Sequence, residues 1–426
     1  MSSGKKVHDR LLTERSQLEE AQAAGVGRTL ATYTRLSGPG WLQSAITLGG
    51  GSLAGSLYLG VIGGYEFLWL QPLMMILGIV MLSAIAYVTL STGKRPFQAM
   101  NEHVSPVLGW GWLLAAMMAN LVWAMPQFSL GTAALQQNLF PNYLAGDSAK
   151  NICVLCLFLL AAAVVWFYDS PGWGVKIFEL SLKAMVGLVV LSFFGVVVAM
   201  SWKGELDWIS IAKGFVPDLS LLWRPVTGLH SFIDDSSAPE FWTTTILRAQ
   251  RERMIAAAAT AVGINMTFLL PYSMLRKGWD RAFRGLAAFD LATGLFIPFL
   301  IATSCVVIAA ASQFHARLDE KLIHQHAADI TGSYRENLEK RVNAESVSGE
   351  RSVLSESEMN SKIDALPSAD RKLAYMLIKR DSLDLASALE NLFGKGGLTQ
   401  KVFGIGVLGM AISTIVILMV INGFCV

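Results

Sequence analysis

Charge is scarce in this sequence. Asp, Glu, Lys and Arg make up 15% of it and hydrophobic residues 53%, whereas a soluble domain carries about a quarter charged. Such a chain cannot be wetted by water over its whole surface. Polar–apolar alternation is missing too, which excludes barrel strands. The six histidines and four cysteines form no Ser–His–Asp, Cys–His or metal-spaced grouping. No enzyme and no cofactor are therefore expected. Cys153 and Cys156 make a CxxC, but no second pair follows, and buried cysteines act as small hydrophobes. A net charge of +2 offers no field for nucleic acid.

What is abundant is long apolar runs. Eight occur, at about 40–60, 66–90, 107–130, 151–168, 176–200, 254–274, 285–311 and 399–423. About 20 apolar residues cross a bilayer as a helix, and lipid leaves the backbone no other way across. The fold class expected is all-α, a polytopic membrane helix bundle with the lipid bilayer as its partner. No oligomeric state is assigned. Basic residues cluster before span one (Lys5, Lys6, Arg10, Arg15, Arg28, Arg35), after span two (Lys94, Arg95) and between spans six and seven (Arg276, Lys277, Arg281, Arg284). Short Lys/Arg-rich loops stay in the cytoplasm, so the N-terminus is expected inside, in an inner or plasma membrane.

Four segments follow: a cytoplasmic N-terminal segment (1–35) without a cleavable signal and with a helix near 11–24, spans one to seven (36–312), a polar extramembrane insertion (313–397), and span eight (398–426). Tryptophans in 201–253 place that connection along the outer surface, with Asp234 and Asp235 solvated. In the insertion, 316–365 is charged and Ser-rich and is expected to be partly disordered. Two amphipathic helices should follow, capped by Ser368 and Asp381, the second stopping at Gly394.

Candidate chemistry sits in spans one and six. Gly49, Gly50 and Gly51 are consecutive in span one. Glycine costs about 1 kcal/mol in a helix relative to Ala, so three together predict a break. Broken spans at matching positions mark a transporter's binding site. Span six carries Asn265 and Thr267 in an apolar run, with Pro271 removing an intrahelical bond. The GxGxxG of Gly404, Gly406 and Gly409 follows no strand and reads as helix packing. Lys176, Glu179, Lys183 and Asp290 are the few charges within spans. They are expected to pair or to reach the interface.

The stretch 38–69, beginning Gly-Pro-Gly and entering span two at Leu68 and Trp69, resembles the first span of NRAMP-related (natural resistance-associated macrophage protein-like) transporters of the APC superfamily. Segments 112–114, 131–140, 213–219, 384–394 and 403–414, with Lys176 and Glu179, are similar to further parts of that family in order. The resemblance implies a LeuT-like fold with broken helices 1 and 6, ten spans in two inverted repeats (eight are found here), and alternating-access transport of a divalent cation.

The substrate-binding set it implies is Thr47, Leu48, Gly49, Gly50, Gly51, Ser52, Ile264, Asn265, Met266 and Thr267. Departures fall at the working positions. Gly49 stands in place of the metal-binding Asp and Ser52 in place of Asn. Ile264, Asn265, Met266 and Thr267 replace Met-Pro-His-Asn, and 104–140 holds no Asp or Glu. The metal donors left are Gly49, Ser52, Asn265 and Thr267. Such neutral oxygens suit a hard, hydrated ion such as magnesium, which a methionine-lacking branch of the relatives moves. Two alternatives stand: a carrier of a small organic or amino acid, held by the Gly50–Ser52 amides, and a transport-inactive receptor or scaffold.

Overall fold

The computed structural model describes residues 2–144, 146–169, 173–346, 354–393 and 398–425. Helices α1 (Ser2–Ala23) and α2 (Val26–Leu36) form a leading hairpin, more helix than the segment near 11–24 predicts. Span one is α3 (Pro39–Thr47) and α4 (Gly50–Gly63). Then come α5 (Leu70–Thr92), α6 (Pro96–His103), α7 (Pro106–Ala133), α8 (Asp147–Asp169) and α9 (Trp173–Trp202). Short helices α10 (Trp208–Gly214) and α11 (His230–Asp234) lead into span six, made of α12 (Pro239–Ala261) and α13 (Met266–Arg276). Span seven is α14 (Arg284–Leu291), a π-helical turn and α15 (Ile297–Phe314). The insertion holds α16 (Glu320–Ile323), α17 (Gly332–Ser346), α18 (Glu356–Asp364), α19 (Ser368–Met376) and α20 (Ser382–Phe393). Span eight is α21 (Leu398–Cys425).

Among the described residues six helices are long and apolar enough to cross a membrane, seven with the pair α3 and α4 taken as one span. The protein is an integral, multi-pass membrane protein. The bundle has an inside and an outside. Spans seven and eight bury 78% of their apolar windows, against 22% for the third and fourth. With the largely buried half-helices α3 and α4 of span one they form the centre, and spans three and four turn most of their apolar side chains outward. Close packing at the centre uses the expected glycines: a Cβ on Gly404 would lie 2.6 Å from Asn138 Cβ, and one on Gly406 2.8 Å from Ser192 Cβ.

Both predicted breaks exist, but not where each residue suggested. In span one α3 and α4 meet at a 57° bend. Only Leu48 and Gly49 leave the helical path, and Gly50 and Gly51 already open α4. In span six the gap is 262–265, and Pro271 lies inside α13 without interrupting it. Gly263 is a poor helix former, whereas Pro271 forfeits one bond in a half-helix of 11 residues. The sixth span also begins earlier than 254. Residues 239–253 belong to α12, too charged to pass as apolar, rather than to a surface loop.

The insertion is helical where partial disorder was expected, among its described residues. Its helices have an apolar core, with Ile323, Leu338, Ile363 and Leu373 each at most 1% exposed, so charge on their outer faces is no bar to folding. Ser368 does not cap α19; the N-cap is Pro367, with no side-chain bond. Asp381 does cap α20: its Oδ1 accepts Asp384 N–H at 3.0 Å. Gly394 lies outside the described residues. Tyr58 near the end of α4 donates to Leu377 O at 3.3 Å, and Trp242 near the start of α12 donates to Asp370 at 2.8 Å. The insertion thus docks on one end of the bundle. The α1–α2 hairpin sits at the other, with Leu11 packed on Gly278.

Candidate functional site

A cavity of about 420 Å3 opens between the two breaks. Thr47, Gly49, Gly50, Gly51 and Ser52 line it from span one, and Asn265 and Met266 from span six. The break is held by its own polar groups. Ser52 Oγ lies 2.5 Å from Thr47 O and 2.9 Å from Gly49 O, and it accepts Gly49 N–H at 3.2 Å. A serine hydroxyl thus satisfies backbone atoms that the missing turn of helix would orphan. Gly49 must be glycine here, because a Cβ would sit 2.5 Å from Thr414 Oγ1 and 3.2 Å from Ile46 O. A Cβ on Gly51 would meet nothing within 4 Å, so that position faces open space.

Three expected residues are not on the cavity wall. Leu48 is fully buried at the end of α3, and Ile264 is absent from the lining. Thr267 is engaged elsewhere: its hydroxyl donates to Ile264 O and accepts Trp112 Nε1–H at 3.2 Å. The sixth-span gap before Met266 turns that side chain inward. Thr47 Oγ1 donates to Met266 Sδ at 3.3 Å. A soft donor, counted as missing on an ungapped reading, is therefore present.

Spans three and eight supply what the sequence reading missed. Trp123, Pro126 and Gln127 come from α7, and Thr414 and Leu418 from α21. Gln127 Oε1 accepts Gly50 N–H at 2.9 Å and so caps the half-helix α4 from a neighbouring span. The available signal was a lone amide in an apolar run, with Asn120 two turns earlier on the same face. Among the described residues no group of three or more His, Cys, Asp or Glu could hold a metal. The cavity offers neutral oxygens and one thioether.

The intramembrane charges gather instead at the far end of α3. Asp290 Oδ2 accepts Gly38 N–H at 3.1 Å and Gly40 N–H at 2.7 Å, a carboxylate on a helix N-terminus. Lys183 donates to Ser37 O at 3.1 Å. Glu179 pairs with Lys277 at 2.9 Å rather than with Lys176. The Asp290 and Lys183 contacts fasten the start of the first half-helix to spans seven and five, and the Glu179–Lys277 pair ties span five to the end of span six.

A family model described as Natural resistance-associated macrophage protein-like matches residues 40–331. Metal transporter Nramp6.2 of Populus trichocarpa is 28% identical over 191 residues, 43% of this chain and 31% of the relative. Metal transporter Nramp2 of Oryza sativa subsp. japonica is 30% identical over 165 residues, covering 37% and 29%. The chain thus matches about a third of the length of these relatives. A solved structure of the Eremococcus coleocola manganese transporter, in complex with an aromatic bis-isothiourea substituted compound, aligns with a TM-score of 0.47 at 13% identity. The alignment covers 92% of this chain and 70% of that one. With more than half of its length matched by the family model and a cavity between interrupted first and sixth spans, the chain belongs to the Natural resistance-associated macrophage protein-like family.

Proposed function

We propose that this chain is a secondary transporter that moves a divalent metal cation through the cavity between the two breaks by alternating access. The observation that carries the reading is a mid-bundle cavity lined by uncharged donors. Stripping a divalent ion of its water without charge compensation is expensive, so a cavity without carboxylates favours an ion that keeps its shell. Space permits it: at about 30 Å3 per water, six waters take about 180 Å3, less than half of the 420 Å3 present. Magnesium, which dehydrates reluctantly, is the ion proposed. Gln127, Asn265, Thr47 and Thr414 would contact its waters. Met266 adds a soft donor that a thiophilic ion could use once Thr47 turns away.

The topology belongs to the same proposal. Residues 1–35 lie in the cytoplasm, spans fill 36–312 and 398–426, and the 313–397 insertion stands on the opposite side. The organic-acid alternative is disfavoured, because Gln127 already occupies the Gly50 amide that a carboxylate would need. Flux into proteoliposomes tests the reading. Magnesium uptake is expected, surviving Met266→Ala, while any uptake of cadmium falls with that change. No flux of magnesium, manganese or calcium would remove the proposal.

A further inference from the structure

Two cavities share the same three helices. The central one is walled by Trp123 of α7, Met266 of α13 and Leu418 of α21. A second, of about 930 Å3, is walled by Trp110, Tyr272 and Phe424 of the same helices, nearer the end that carries Arg95 and Arg276. Between them the three helices close on one another. Trp112 stacks on Phe268 with ring centroids 3.7 Å apart and planes 19° apart. Phe268 is fully buried. Trp112 Nε1 donates to Thr267 Oγ1 at 3.2 Å. On the α7–α21 seam Asn120 Nδ2 donates to Asn422 Oδ1 at 3.0 Å.

We infer that the Trp112–Phe268 stack, tied by Thr267, is the barrier separating the central cavity from the larger vestibule, and that α13 is the lever that opens it. The inference rests on the carrier reading and deepens it. Half-helix α13 carries a cavity donor at one end (Met266), the barrier ring two residues on (Phe268), and the vestibule wall beyond (Tyr272 and Arg276). It is flanked by the non-helical stretch 262–265 and by Gly278 at a φ of 77°, two places where the chain can absorb rotation. A ring stack and one hydrogen bond are weak enough to break and reform in each cycle. Thr267, expected from sequence to touch the substrate, becomes a positioning residue that fixes the Trp112 indole.

Thiol labelling tests this independently of transport. In a background with Cys153, Cys156, Cys305 and Cys425 replaced by alanine, Leu418→Cys reports on the central cavity and Gln98→Cys on the vestibule. A charged, membrane-impermeant methanethiosulfonate is applied from the vestibule side of oriented vesicles. Gln98→Cys should label at one rate in every variant, which controls for reagent access, and an unchanged thermal unfolding midpoint certifies folding. Leu418→Cys should label about tenfold faster in Phe268→Ala, and about threefold faster in Trp112→Phe and Thr267→Val, which keep the ring or shape and lose the hydrogen bond. An unchanged Leu418→Cys rate in Trp112→Phe, Thr267→Val and any folded Phe268→Ala would overturn the barrier. Faster labelling without any cation flux would instead leave the barrier standing and count against the carrier reading.

Discussion

The membrane cavity and the core of the insertion solve the same problem in opposite ways. Both bury polar groups. The cavity wall carries no ionised side chain among its lining residues. In the insertion Asp370 is 0% exposed and Arg341 2%, and they meet at 2.8 Å. The difference is the number of partners. Asp370 also accepts from Trp242 Nε1 at 2.8 Å, from Ser237 Oγ at 2.8 Å and from Ser237 N at 3.0 Å. Burial pushes its carboxyl up, but these hydrogen bonds and Arg341 outweigh burial and hold it below the usual carboxylate range. A buried charge is tolerable when every lone pair is used. A cavity that must release its ion cannot be so fully satisfied.

The largest expected effect comes from breaking the charged side of this comparison. Asp370→Ala leaves Arg341 buried with less compensation and should cost about 3 kcal/mol, read as a lowered thermal unfolding midpoint and faster proteolysis of 320–376. Because the folded pKa of Asp370 lies below its unfolded value, its contribution is complete above about pH 4 and is lost as pH falls through the lower folded value. Stability from this cluster should therefore be flat from pH 5 to 8; a loss across that window would contradict the assignment.

The next effect probes the cavity wall. Gly49→Ala must displace Thr414 or the Ile46 carbonyl and should cost about 1–3 kcal/mol, with flux lost. Gly51→Ala, with open space before it, should instead be neutral or gain up to about 1 kcal/mol. Equal behaviour of the two would break the account of the bend. The smallest effect sharpens the question of ligand charge. Gln127→Ala frees the Gly50 amide at a cost of about 1 kcal/mol. It should let small carboxylates raise the unfolding midpoint, as they do not in the parent. A carboxylate response already present in the parent would revive the organic-acid reading.

Much of the bundle was legible because lipid leaves few choices. Runs such as 66–90 and 399–423 had to be helices, and they are α5 and α21. The span-one break was legible because adjacent glycines are poor helix formers, although only Gly49 of the three leaves the helical path and Gly50 and Gly51 open α4. Span six was less so. Its gap rests on Gly263 and a local turn, and the more conspicuous Pro271 drew attention to the wrong residue. Thr267 misled for a similar reason: polarity in an apolar run does not say whether a hydroxyl faces a cavity or a neighbouring indole. The insertion's high charge drew attention from its apolar stripe, which is regular in the structure: Tyr334, Leu338 and Val342 are buried four residues apart on α17.

By itself, the sequence determined the solvent, the helical class and the interrupted first span, because each follows from local composition. Only the tertiary structure decided that Met266 joins Thr47, that Gln127 caps α4 from span three, and that Thr267 serves Trp112. Those outcomes depend on which side chains meet across helices separated by as much as 219 positions in the chain, and no local pattern encodes such a meeting.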